Sequence, residues 1–122
     1  MTPSGILKSA SALAAENGLQ PWRSLMNVLA THLTELEIPN EVRPALAIAQ
    51  EHWQSSTDDP GSLIAAKELC WSYLGRFASG QDVAHRDGRY VRALLCVLEP
   101  EGDSEAMSMT AEWFVAMIGA SA

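Results

Sequence analysis

The chain is poor in cysteine, in basic residues and in long apolar runs, and each shortage excludes a class of protein. It has two cysteines, Cys70 and Cys96, which form no Cys-x-x-Cys pair and no disulfide framework. Both sit inside apolar stretches, where a thiol behaves as a small hydrophobe, and a reduced, cytoplasmic setting is expected. No stretch approaches the roughly 20 consecutive apolar residues that span a bilayer. Residues 1–8 lack a basic start that leads into a long apolar run, and residues 9–15 are rich in small side chains. Neither a membrane span nor a secretory leader is expected. Lys and Arg total 8 against 15 Asp and Glu, a formal charge of -7. That balance repels a phosphate backbone at long range and argues against a nucleic-acid partner. Scarce β-branched residues argue against a sheet.

What is present is enough for a core. A chain of 122 residues is one ordinary domain and buries roughly two-thirds of the surface its unfolded form exposes. Apolar residues make up 48% and charged residues 19%, which excludes a disordered acidic tail.

Apolar residues recur at helical spacing along the whole chain. Ser4 is expected to cap a first helix with the stripe Ile6, Leu7, Ala10, Leu13 and Ala14, and Gly18 to stop it. Pro21 suits a first helical turn, followed by Trp22, Leu25, Met26, Leu29, Leu33 and Leu36 up to about Glu37. Asn40 is expected to cap a third helix with Val42, Ala45, Leu46, Ala49 and Trp53 on one side; Pro44 lies in its first turn. Residues 54–62 read as a loop, with Asp59 as cap and Pro60 as first helical residue. Leu63, Ala66, Cys70, Tyr73, Leu74 and Phe77 form the fourth stripe, closed by Gly80. Asp82 or Asp87 starts the fifth helix. Residues 93–98 also suit a buried strand, but no second strand candidate pairs with them, so helix is favoured. Asp103 caps a last helix with Met107, Ala111, Phe114 and Ile118, and Trp113 and Met117 alongside. The expectation is one all-α domain over residues 1–122, a compact bundle or orthogonal array of about six helices.

No chemistry-bearing constellation stands out. His85-Arg86-Asp87 matches the start of a protein-kinase catalytic loop, but Arg92 stands where that loop needs Asn, and no other kinase motif is present. A di-iron bundle needs Glu-x-x-His twice; the chain offers Asp82-x-x-His85 and the reversed His32-x-x-Glu35. His32, His52, His85, Cys70 and Cys96 show no zinc-ligand spacing. There is no Gly-x-Ser-x-Gly elbow, and desolvation should keep the Cys96 thiol inert. Neither metal nor other cofactor is expected, nor an enzyme.

Residues 82–105 are the most informative. Arg86, Arg89 and Arg92 recur every third position along one broad helix face, ahead of the acidic series Glu99, Glu101, Asp103 and Glu105. The arginines either pair within the chain, with Asp82, Asp87 or the acidic series, or grip a partner's carboxylate or phosphate. The acidic series is either a solvated turn or a steering surface for a basic partner. Of the four tryptophans, Trp22 and Trp113 lie in dense stripes and read as core. Trp53 and Trp71 are the better candidates for partly exposed anchors, although core is the commoner fate of each.

The block Arg92-Ala-Leu-Leu-Cys-Val-Leu-Glu-Pro100, with Glu112-Trp113-Phe114 after it, resembles the C-terminal part of small, acidic, helical bacterial proteins. Some of these are of immunity-protein type and neutralise a toxin delivered between neighbouring cells. The resemblance implies a binding role and brings no catalytic motif. The leading expectation is therefore a cytoplasmic protein-binding module of immunity or inhibitor type that occludes a basic, nuclease-like toxin. Its contact residues would be Arg86, Arg89, Arg92, Glu99, Glu101, Asp103, Glu105 and Trp53. Two alternatives stand beside it: a small-ligand-binding or enzymatic helical domain using the Arg86, Arg89 and Arg92 face, and a homodimeric structural or regulatory adaptor.

Overall fold

The computed structural model describes residues 2–55 and 60–119. Six α-helices account for most of them: α1 (Pro3–Asn17), α2 (Pro21–Thr34), α3 (Arg43–Gln54), α4 (Pro60–Leu74), α5 (Arg86–Leu95) and α6 (Ser104–Gly119). Short 3-10 turns at Asn40–Val42 and Asp82–Ala84 lead into α3 and α5. No strand occurs among the described residues. Each helix packs on the next, and α6 returns to α1, so the six close into a ring. The second helix reaches across the ring to α5 and α6. It is accordingly the most buried: Leu25, Met26, Leu29 and Leu33 lie wholly inside, against Leu94, Leu98 and Phe114 in the same core. No helix among the described residues is long and apolar enough to cross a membrane.

Local chemistry sets the helix ends, and several differ from the sequence expectation. Thr2, not Ser4, caps α1: its Oγ1 accepts from the Gly5 N–H at 3.0 Å. Pro3 occupies the first helical position and holds the residue before it extended, which is the geometry a cap needs. Gly18 ends α1 with φ 64, the left-handed conformation that suits glycine. The second helix stops at Thr34, short of Glu37, because the Glu35 and Leu36 N–H groups bond only three residues back. Leu36 still packs against the core. Asn40 opens the 3-10 turn rather than capping α3, and its Oδ1 accepts from Arg43 Nε.

The position of Asp59 lies outside the described residues, while Pro60 does begin α4. That helix ends at Leu74 rather than at Gly80. Gly75, Arg76 and Phe77 wind into a turn behind it, and Gly80, with φ 77, belongs to the connection to α5. Residues 93–98 are helical to Leu95 and then tighten, with the Cys96, Val97 and Leu98 N–H groups bonded to carbonyls three residues back. Asp103 caps α6 as expected, its Oδ1 accepting from the Ala106 N–H at 2.8 Å.

Two helix ends are completed by side chains from far along the chain. Arg23 Nη1 donates to the carbonyls of His52, Trp53 and Ser55 at the end of α3. Trp53 Nε1 donates to Val97 O at 2.7 Å, and Trp22 Nε1 to Glu99 O at 3.0 Å, beyond the end of α5. The last carbonyls of a helix have no partner within it, a need that Arg23 fills at the end of α3, while the two indoles satisfy carbonyls of the segment that follows α5.

Candidate functional site

The arginine row is engaged within the chain. Arg92 Nε donates to Asp82 Oδ2, and Asp82 is buried. That bond, aided by the Arg92 charge, holds the Asp82 carboxyl below its ordinary range against the opposing effect of burial. Arg89 Nη1 donates to Val83 O, and Arg86 lies near Glu37 at 3.5 Å and Asp87 at 3.7 Å. The Arg92 and Arg89 contacts tie the Asp82–Ala84 turn to α5. The fit is close: a Cβ on Gly88 would stand 2.0 Å from the Asp82 carbonyl oxygen, so only glycine is accommodated there.

The acidic series has its own structural duties. Glu99 pairs with Lys67 at 2.6 Å. Asp103 is the α6 cap, and Glu105 lies in the first turn of α6, where the helix dipole favours a carboxylate. Gly102 sits against the Trp22 ring, which a Cβ would enter at 2.5 Å. The connection is thus held in place rather than loose, and Glu101 remains on its outer side.

The tryptophans are distributed differently from expectation. Trp53 is 3% exposed, edge-on to His52, with its indole N–H on Val97 O, and so is removed as a surface anchor. Trp113, expected in the core, is outside. The sixth helix carries two apolar stripes, and it is Ala111, Phe114 and Met117 that face inward. Met109, Trp113 and Ala116, spaced four and three residues apart, form the outer one.

These positions create one face across α4, α5 and α6. Ile64 (57% exposed) and Trp71 (50%) stand on α4, and Met109 (63%) and Trp113 (45%) on α6. Contacts from α4 to the α5 segment join them: Arg92 lies over the Trp71 ring at 4.8 Å, and Lys67 reaches Glu99. A groove of about 620 Å³ runs between the end of α5 and α6, lined chiefly by Leu95, Cys96, Glu99, Met109, Glu112 and Trp113. Of the arginine row and acidic series, Arg92 and Glu99 belong to this face. Arg86 and Arg89 turn instead toward the Asp82–Ala84 turn and Glu37.

The sequence carries one further signal for this face. After Arg92 the chain contains no Lys, Arg or His, whereas Glu99, Glu101, Asp103, Glu105 and Glu112 all follow it. Glu105, Met109 and Glu112 share a side of α6 by their spacing.

Burial pushes both thiols up to about 12, with the Glu99 charge adding to the effect at Cys96. His52 lies against Trp53, His85 stacks on Phe77, and His32 borders a separate groove between α1 and α2. Among the described residues no three His, Cys, Asp or Glu side chains gather closely enough to hold a metal ion. In the α1–α2 groove, Asn17, Asn27 and Thr31 already bond to backbone carbonyls. In comparison with known proteins, no family model, no curated protein and no solved structure matches this chain.

Proposed function

We propose that the protein is a protein-binding module that docks its partner on the α4–α5–α6 face. The observation that carries this reading is the pair Trp71 and Trp113, each about half exposed on a helix whose other side is in the core. Tryptophan is the residue type most enriched among interface positions that dominate binding energy. Ile64 and Met109 extend the apolar area, and Lys67, Arg92, Glu99 and Glu112 supply a charged surround, the usual anatomy of an interface. Within this class, the net charge of -7 supports a basic partner. An inhibitor of immunity type that covers the basic active site of a nuclease-like toxin meets that requirement by occlusion, with no chemistry of its own. Acidic residues around the face would speed encounter, and the buried aromatics would slow release.

The alternative of a ligand site on Arg86, Arg89 and Arg92 has less support, since each arginine already contacts acceptors in its own chain.

The test is a comparison of the wild type with a Trp71→Ser/Trp113→Ser variant. A partner captured by the wild type, identified and purified, should bind the wild type with measurable heat in calorimetry and the variant at least about tenfold more weakly. If that partner is a toxin, its activity should be abolished by one equivalent of wild type. Equal affinity for both proteins would place the interface elsewhere and overturn the proposal.

A further inference from the structure

The groove between α5 and α6 carries a more specific reading, which rests on the binding role just proposed. We infer that its occupant is a cationic amphipathic helix of the partner, with apolar side chains entering between Leu95, Met109 and Trp113 and Lys or Arg side chains reaching the carboxylates around it. Three observations support this occupant over others.

The first is the one-sided charge of the walls. The α6 wall carries Glu112 and no base at all, Glu105 stands one turn before Met109 on the same helix, and the α5 wall ends in Glu99. Lys67 and Arg92, the cations nearby, are each already paired, with Glu99 and Asp82. Glu105 and Glu112 have no ion pair among the described residues, so they are available to a cation from outside. The second observation is shape. The groove is open and mostly apolar, and its α6 lining runs about two turns from Met109 to Ala116 with Glu99 and Glu112 among the lining residues, which suits a helix laid along it with anchors at helical spacing. The third concerns self-association. A second copy seated with its α6 in this groove would bring together two helices that each carry acidic and no basic residues, and like charges brought together in an interface oppose association. The walls thus select against the chain itself while favouring a basic partner.

The probes are two synthetic amphipathic helical peptides with the same leucine face, one flanked by lysine and the other by glutamate. Binding is followed by two-dimensional NMR of the labelled protein and by calorimetry. The lysine peptide should saturate and shift the amide signals of Leu95, Cys96, Glu99, Met109 and Trp113. Its affinity should fall roughly tenfold in Glu112→Lys, and again when salt is raised to ~0.5 M. Trp113→Ser should weaken it comparably, which bulk ionic attraction alone would not produce. Equal binding of the glutamate peptide would overturn the inference. So would non-saturating shifts spread over every acidic surface. Sedimentation that shows a dimer with Trp113 protected would overturn it in favour of a second copy. If neither peptide binds but a purified partner still depends on Trp71 and Trp113, the groove assignment falls and the binding role stands; if that dependence also fails, both fall.

Discussion

Asp82 and Arg92 form an ion pair that is buried on one side only. The carboxylate lies almost wholly inside the protein, while the guanidinium is partly open and covers the exposed Trp71 ring. The two partners therefore differ in what happens when the other is removed.

Arg92→Ala leaves a buried carboxylate without its cation, whereas Asp82→Asn leaves an arginine that water can still reach. Loss of one member of a buried pair costs about 3–5 kcal/mol. The arginine deletion should approach that figure and Asp82→Asn should cost about half as much or less. Urea midpoints of the two variants, measured side by side, give the order; a larger loss in Asp82→Asn would contradict the one-sided burial.

The same pair predicts a pH dependence. The Arg92 hydrogen bond keeps the Asp82 carboxyl below its ordinary value of 3.8 in the folded protein. A depressed carboxyl stabilises the fold above its unfolded-state value and ceases to do so as the pH falls toward the folded one. Wild-type stability should lose this contribution below about pH 4, and Asp82→Asn should lack that part of the acid sensitivity.

The four tryptophans should divide into two pairs by stability. Trp22→Phe and Trp53→Phe each strip a donor from a carbonyl beyond the end of α5, at a cost of about 1–3 kcal/mol. Trp71→Ser and Trp113→Ser should stay within about 1 kcal/mol of wild type, as exposed substitutions usually do. Thermal or urea unfolding followed by circular dichroism separates the pairs.

Ser24 offers a prediction of opposite sign. It is fully buried on α2, and its hydroxyl has no hydrogen-bond partner among the described residues. A buried hydroxyl without a partner is unfavourable, and alanine is the better helix former. Ser24→Ala should raise stability by about 1 kcal/mol; a clear loss on urea titration would mean that the hydroxyl is satisfied in solution.

The thiols should be silent until the protein unfolds. Both are buried and pushed up to about 12, so almost no thiolate exists at neutral pH. A chromogenic disulfide reagent should label neither cysteine in the native state and both in denaturant. Rapid native labelling of Cys96, at the floor of the groove, would show that the groove opens.

Helical spacing was the most legible feature of the sequence. Each stripe read at that period lies mainly on a helix, with end members such as Leu36, Val42 and Phe77 falling just outside it, because the period is imposed by backbone geometry and needs no tertiary information. Helix ends were less legible, since neighbouring residues compete for the same role, as Thr2 and Ser4 do at the start of α1. The candidate site was least legible. For Arg92 the sequence leaves open pairing with Asp82, Asp87 or the acidic series and a grip on a partner, and only the folded Asp82–Ala84 turn decides for Asp82. Trp113 reads as core because α6 carries two apolar stripes and only packing decides which faces inward. Trp53 reads as a helix-end aromatic beside a polar loop, while its partner, Val97, is 44 positions away.

The connection between α5 and α6 has a thermodynamic consequence. The Trp22 indole donates to the Glu99 carbonyl in this connection, and the glycine at position 102 lies close against the same ring. Both walls of the groove are therefore set in position by the core of the protein before anything arrives. A ligand entering there gives up its own conformational freedom, but the receptor gives up almost none. Association with preorganised walls of this kind should be rapid, nearly rigid-body on the side of this chain, and governed by how well the incoming segment is itself ordered.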